Sequence, residues 1–346
     1  MKIALYIDSM GRGGAQRVMN VLASYLCKTY EVILINDIVA EKEYEIDTRV
    51  KRIVLTKTGF FKKTREIRRI IKKEKPDIVL SFLGPCNYRN ILATHHLKCK
   101  TIVSVRNDPL FEYGNGLMKL IARFLFRFAD GFVFQTEDAK AYFPKCVQKK
   151  AAVIMNPVDD KFYKTKWESK NDEIAVVGRL ESQKNPLLAL KAFKKVSMNY
   201  PHLKMVFYGD GELKDSLMNQ INTLDLSDKV ILKGVVPNIE KYLAASKLFV
   251  MTSDFEGMPN ALMEAMAIGV PVICTDCPCG GPRSLIRTND EGILIKCGDL
   301  DNLVLEINKM ISDTQLAKTV SRNERARALA FSSERIMKEW TQYLWN

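Results

Sequence analysis

Glu256 and Glu264, with seven residues between them, lie in the stretch 253–271, SDFEGMPNALMEAMAIGVP. A polar turn containing Gly and Pro opens it. Ala, Leu, Met and Glu, all strong helix formers, follow, and Gly269 and Pro271 supply the stop. Eight helical steps of 1.5 Å would hold the two carboxylates about 12 Å apart. Paired carboxyls that cleave glycosides stand only about 5 to 9.5 Å apart. The spacing therefore describes clamps at the two ends of an elongated ligand rather than an acid/base pair. Between them, the unpaired N–H groups of residues 260–262, Asn260 and Ala261 among them, form a positive helix N-terminus suited to phosphate. Sugar at one end, phosphates in the middle and ribose at the other describe a nucleotide sugar.

Three further loops in the second half carry ligand-like residues. After the apolar run 174–177 comes GRLESQKNP, in which Arg179 and Lys184 share one strand-to-helix loop. Such a pair can grip a diphosphate and stabilise its charge as it leaves, with no metal. After 204–208 the loop contains Gly209 and Gly211, which open the backbone to a ligand. After 230–232 comes 234–238, with Val236 and Asn238. An Arg and a Lys five residues apart mean little alone. Four strand ends with ligand-like loops, at the side of an open sheet where ligands bind, are the specific signal.

These loops require alternating strands and helices to position them. Strand-like runs at 2–8, 31–36, 78–82, 101–105, 132–135 and 153–155 alternate with helical patterns in the first half. The polar run 164–172 marks a break, after which the rhythm restarts. At 346 residues, two α/β domains of about 150 to 180 residues are the natural reading. The loop Gly11-Arg12-Gly13-Gly14 follows the first strand, but Gln16 stands where G-x-G-x-x-G needs glycine, which weakens a dehydrogenase. Gly13 and Gly14 still permit close approach to a ligand, a tight turn being the alternative.

The formal net charge of +13 implies an acidic partner: a phosphorylated ligand, an anionic membrane surface or nucleic acid. The run 57–75, KTGFFKKTREIRRIIKKEK, either lies on an anionic membrane or packs by its isoleucines with a solvated face. In 117–128, Leu117, Leu120, Ile121, Phe124, Leu125 and Phe128 share one face, with Lys119, Arg123 and Arg127 opposite. This reads as a core-packed helix with a wet basic back, an interfacial helix being the alternative. The apolar start before Asp8 is too short for a signal peptide, and no 18-residue apolar run exists, so neither export nor a membrane span is expected. The eight cysteines lack framework spacing and read as free thiols. Cys274, Cys277 and Cys279 cluster without a fourth ligand, so no metal site is expected. His95, His96 and His202 read as incidental.

The ordered set VVGRLESQKNP, YGDGEL, LKGVVPN and SDFEGMPNALMEAMAIGVPVI closely resembles the retaining, nucleotide-sugar-dependent glycosyltransferases of family 4 (glycosyltransferase group 1 type), along nearly all of the second half. The first half matches more loosely, through GGAQR and strand order. The resemblance implies the GT-B fold: two Rossmann-like, doubly wound domains facing each other across a cleft. It implies an acceptor domain at 1–156, a donor domain at 157–332, and a final helix within 333–346 that crosses back to the first domain. It further implies that Arg179 and Lys184 hold the donor diphosphate, Glu256 meets hydroxyls of the transferred sugar, and Glu264 meets the ribose. Backbone at Gly257, Met258, Asn260 and Ala261 would meet phosphate and sugar. The 234–238 loop would border the base, and Gly13 and Gly14 would face donor phosphates and acceptor.

Many relatives carry a histidine where this chain has Arg106, in SVRNDP. Arginine cannot act as a base at neutral pH, so Arg106 would bind acceptor phosphate or leaving-group charge; Asp108 is an alternative base. The expectation is a hexosyl- or N-acetylhexosaminyltransferase without metal or cofactor, acting at the inner face of the cell membrane. It would use a UDP-sugar donor and a polyprenyl-diphosphate-linked saccharide acceptor. Two other classes compete. A nucleotide-sugar hydrolase or epimerase would need a positioned acid/base set that the scarce histidines do not supply. A nucleic-acid-binding protein would interleave its basic residues with stacking aromatics, whereas the partners here are mostly aliphatic.

Overall fold

The computed structural model describes residues 1–11, 13–114 and 116–345, so Arg12 of the glycine-rich loop lies outside the described residues. The chain divides into two compact units, one of residues 1–157 with 334–346 and the other of 158–333.

The first unit is built on seven parallel strands: β1 (Lys2–Ile7), β2 (Glu31–Asn36), β3 (Lys51–Val54), β4 (Ile78–Phe82), β5 (Lys100–Ser104), β6 (Gly131–Phe134) and β7 (Ala151–Val153), in the order β3-β2-β1-β4-β5-β6-β7. β1 is apolar and buried beyond Lys2, and β4 is buried throughout and apolar except for Ser81, as central strands covered on both faces must be. The helices that concern the site are α1 (Gly14–Leu26), α2 (Phe60–Glu74), α3 (Gly84–Thr94), α4 (Pro109–Tyr113) and α5 (Gly116–Leu125). α1 buries Val18, Met19, Leu22, Ala23 and Leu26. α2 buries Ile67 and Ile71, packing them with Ala4, Ile33 and Val79. Its isoleucines therefore pack while Phe61, Lys62, Lys72 and Lys73 stay outside; Lys63 instead pairs with buried Asp37 at 2.8 Å.

The C-terminal helix, Ser333–Trp345, belongs to this first unit from Glu334 onward. Trp340 is fully buried, with its ring centroid 5.9 Å from that of Phe82. Tyr343 Oη accepts a hydrogen bond from the Phe132 amide and donates to the Lys150 carbonyl, both at 2.6 Å.

The second unit carries six parallel strands: β8 (Glu173–Val177), β9 (Lys204–Tyr208), β10 (Val230–Gly234), β11 (Leu248–Met251), β12 (Val272–Thr275) and β13 (Ile293–Ile295), ordered β10-β9-β8-β11-β12-β13. The chain winds outward from β8 to β10, then returns to place β11 on the other side of β8. That reversal is where open α/β sheets leave a crevice at their carboxyl ends. Two helices matter there, α6 (Pro186–Val196) and α7 (Asn260–Ile268). Ala189, Ala192, Phe193 and Val196 of α6 join Ile174, Met205 and Val250 in one core.

One sequence expectation fails. The apolar face of 117–128 is not packed on a core. Leu117 is 72% exposed, Leu120 62% and Phe124 56%, while Ala122 and Phe126 turn inward. Amphipathic spacing fixed which side chains share a face, but small Ala122 lets the helix dock by its other side.

Candidate active site

Lys184 and Glu256 meet at the β8/β11 reversal. Residues 178–185 lead from β8 into α6. Asn185 adopts the left-handed conformation (φ 44°), its side chain accepts from the Leu188 amide at 3.3 Å, and Pro186 takes the first helical position. The loop after β11 is tied to this one. Thr252 Oγ1 donates to the carbonyls of Lys184 (3.1 Å) and Asn185 (2.9 Å). The Asp254 amide donates to the Gln183 carbonyl at 2.9 Å, and Gln183 Nε2 donates to the Phe255 carbonyl at 2.8 Å. These bonds bring the Lys184 ammonium onto Glu256 Oε1 in a close ion pair. The same oxygen accepts from Ser253 Oγ at 2.8 Å. Glu256 is buried, whereas Lys184 keeps a quarter of its side-chain surface in water. Arg179, on the same loop, is 70% exposed and pairs with Glu181 at 2.9 Å.

α7 begins at Asn260 behind Pro259, and no side chain caps it, so the positive end of the helix faces the loop that carries Glu256. Its other end is fixed: Gly269 takes the left-handed C-cap (φ 87°), and Arg325 donates to the carbonyls of Ala267 and Ile268 at 2.9 Å. Gly257 and Met258 are buried in the approach to the helix, Ala261 is half-buried, and Glu264 is buried in its second turn. The exposed-helix reading of Glu264 is therefore excluded.

The glycines after β9 have a different reason from the one expected. A Cβ on Gly209 (φ 146°) would stand 1.9 Å from the Gly178 carbonyl oxygen, and one on Gly211 2.4 Å from that of Leu180. The space at both is filled by the loop that carries Arg179. Glycine there permits two strand-end loops to touch, reinforced by Leu180 N–H to the Asp210 carbonyl at 3.0 Å, rather than opening backbone to a ligand. After β10, Val236 is half-buried and Asn238 is exposed in the left-handed region (φ 55°).

The remaining candidates belong to the first unit. Gly13 precedes α1 in extended conformation, with its amide bonded to the Gly11 carbonyl at 2.8 Å, and Gly14 is the first residue of α1. Arg106, just past β5, is buried, with its guanidinium 4.7 Å from the Phe82 ring centroid. It donates closely to Asn156 Oδ1 and, at 3.4 Å, to Ser104 Oγ. A guanidinium so occupied supports the β5 end from inside the fold. Asp108 caps α4, accepting from the Leu110 amide at 2.8 Å, which commits the carboxylate proposed as an alternative base.

Three residues emerge from the structure alone. Ser253 and Gln183 orient Glu256 and its loop; the S-x-x-E spacing of Ser253 and Glu256 was a readable signal. Glu112 of α4 had none. Burial pushes its carboxyl up to about 8, opposed by the Gly84 backbone and the Arg106 charge. His95 packs beside His96 and Phe128, away from these loops. Among the described residues, no three His, Cys, Asp or Glu side chains gather as a metal site, and no helix is long and apolar enough to cross a membrane.

The fold recurs in known proteins. The family described as "Glycosyl transferases group 1" matches residues 158–327, and "Glycosyltransferase Family 4" matches residues 12–162. A Campylobacter jejuni enzyme is 28% identical over 99% of this chain and 98% of its own; it is named GalNAc-alpha-(1->4)-GalNAc-alpha-(1->3)-diNAcBac-PP-undecaprenol alpha-1,4-N-acetyl-D-galactosaminyltransferase. An uncharacterized glycosyltransferase of Methanocaldococcus jannaschii is 30% identical over 90% of this chain and 89% of its own. Among solved structures, Anabaena HepE in complex with UDP and glucose superposes with a TM-score of 0.85 at 20% identity, covering 99% of both chains, and so shares the fold. The chain belongs to the group 1, family 4 glycosyltransferases, with two Rossmann-like domains of GT-B type.

Proposed function

We propose that the protein transfers a hexosyl or N-acetylhexosaminyl group, with retention at the anomeric carbon, from a UDP-sugar to a polyprenyl-diphosphate-linked saccharide in surface-polysaccharide or glycan assembly. The observation that carries the donor half is the ion pair of Lys184 with buried Glu256 beside the uncapped start of α7. A cation, a carboxylate and, four residues along the chain, the positive start of a helix are the chemistry this reading needs for a sugar diphosphate. In this reading Arg179 and Lys184 take the charge of the departing diphosphate, so no metal is required. Glu256 accepts from hydroxyls of the sugar, Glu264 from the ribose, and the 257–261 backbone meets phosphate and sugar. Val236 and Asn238 border the base. Gly209 and Gly211 serve by holding the Arg179 loop. Gly13 and Gly14 contribute from the first unit to donor phosphates and acceptor.

Arg106 serves the acceptor side by fixing the β5 end, with its charge available to a phosphate that reaches it. Departure and attack on one sugar face, assisted by phosphate, need no protein base. The acceptor half draws on the C. jejuni relative, whose name specifies an undecaprenyl-diphosphate-linked glycan. A lipid-linked acceptor places the enzyme on the inner, anionic face of the cell membrane. Incubation with a UDP-sugar panel and undecaprenyl-diphosphate-linked saccharides, with proton NMR of the product, tests this. An α-linked product from an α-linked donor in the presence of EDTA supports it; inversion, or hydrolysis without transfer, counts against it.

A further inference from the structure

α4, α5 and the turn Phe126–Phe128 display Phe111, Leu117, Leu120, Ile121, Phe124 and Phe128 to solvent within 18 residues of chain. Singly exposed apolar side chains are ordinary; a contiguous ridge of this size is not. The charged side chains of α5 are Lys119 and Arg123, Arg127 follows in the turn, and α5 holds no acidic residue.

The ridge adjoins a second basic element. The Phe128 ring packs 5.3 Å from His95 at the end of α3, and Arg68 of α2 donates to the carbonyls of Ala93 and His95 at 2.8 Å. α2, α3 and α5 thus form one layer of the first unit. α2 buries Ile67 and Ile71 and turns Lys62, Arg65, Arg69, Lys72 and Lys73 outward, with Phe61 73% exposed.

We propose that the outer face of this layer docks on an anionic lipid bilayer, the α4–α5 ridge entering the headgroup–acyl boundary and α2 lying against the charged surface. Apolar anchors flanked by cations are the arrangement that interfacial helices use. Charge complementarity selects this occupant over a second copy, because pairing two such faces would oppose like charges as the apolar ridges met. The ridge also leads to the candidate site: exposed Phe111 is followed by Glu112, whose carboxyl lies beside Arg106. Docking would therefore present a lipid-borne acceptor to that end of the unit, a step that rests on the function proposed above.

The test is sedimentation of the full-length protein with vesicles of phosphatidylcholine, alone and with phosphatidylglycerol. The variants are Leu117→Glu/Phe124→Glu and Lys62→Gln/Arg65→Gln/Arg69→Gln, each checked for an unchanged melting temperature. Each cation near an anionic surface changes partitioning about fivefold, so the triple variant should bind phosphatidylglycerol vesicles about a hundredfold more weakly. The ridge variant should lose binding to them altogether. Equal binding by parent and both variants, or no binding by the parent, overturns the proposal. So does a dimer in sedimentation velocity that the ridge variant abolishes. UDP-induced stabilisation in the same samples reports the second unit, so failure of the donor reading remains distinguishable from failure of the lipid face.

Discussion

Replacing Lys184 by Met should destabilise the second unit more than replacing Glu256 by Gln, although both break the same ion pair. Glu256 is buried, with Lys184 and Ser253 on one carboxylate oxygen. Removing the cation leaves that carboxylate in the fold with the serine alone. Losing one partner of a fully buried pair costs about 3–5 kcal/mol. Lys184 is a quarter exposed, so water recovers part of this and about 2 kcal/mol remains. A domain of this size loses about 2–4 °C per kcal/mol, a fall of about 4–8 °C. Glu256→Gln frees an ammonium that already reaches water and should cost about 1 kcal/mol or less. The double variant should be milder than the sum by about 1–2 kcal/mol. Urea unfolding followed by Trp167, the one tryptophan of residues 158–333, reads this transition. Additive single effects, or a larger loss in Glu256→Gln, would refute the pairing as the organiser of the crevice.

Three further outcomes follow from the same geometry. Gly209→Ala should cost at least about 2 kcal/mol in urea unfolding, since its Cβ would strike the Gly178 carbonyl in a backbone region foreign to L-residues. Glu264→Ala should weaken UDP binding about tenfold or more by calorimetry, the worth of a hydrogen bond to a charged group at about 1.5–3 kcal/mol, with the fold unchanged by circular dichroism. Glu324 is fully buried, neither carboxyl oxygen has a hydrogen-bond partner, and burial holds its pKa well above the ordinary carboxylate range. The unfolded chain then ionises before the native one, so stability falls as pH rises beyond about 4. Melting temperatures from pH 4 to 8 should show that decline, and Glu324→Gln should flatten it; an unchanged slope would contradict the assignment.

Much of the second unit was legible because its signals are local. A strand, a polar loop, a helix of Ala, Leu, Met and Glu and a Gly-Pro stop can be read without knowing their surroundings, and 253–271 folds as written. What lies between distant loops was not. The Lys184–Glu256 contact joins residues 72 apart, and only the β8/β11 reversal brings them together. Gly209 and Gly211 looked like openings for a ligand because sequence shows the missing side chain but not the carbonyl that fills its place. In 117–128 the periodicity identified a face but not its cover. The buried carboxylates Glu112 and Glu324 were invisible, since a glutamate in a helix pattern normally faces water.

The central claim, that the loops at the ends of β8 to β11 hold a nucleotide-sugar donor, is tested most directly by thermal unfolding of the purified protein with UDP, GDP, ADP and UDP-sugars. A ligand at a hundredfold its dissociation constant adds about 2.7 kcal/mol. The account predicts that UDP and a UDP-sugar raise the transition of the second unit while GDP and ADP leave it in place. A folded protein whose melting is indifferent to every nucleotide would contradict it.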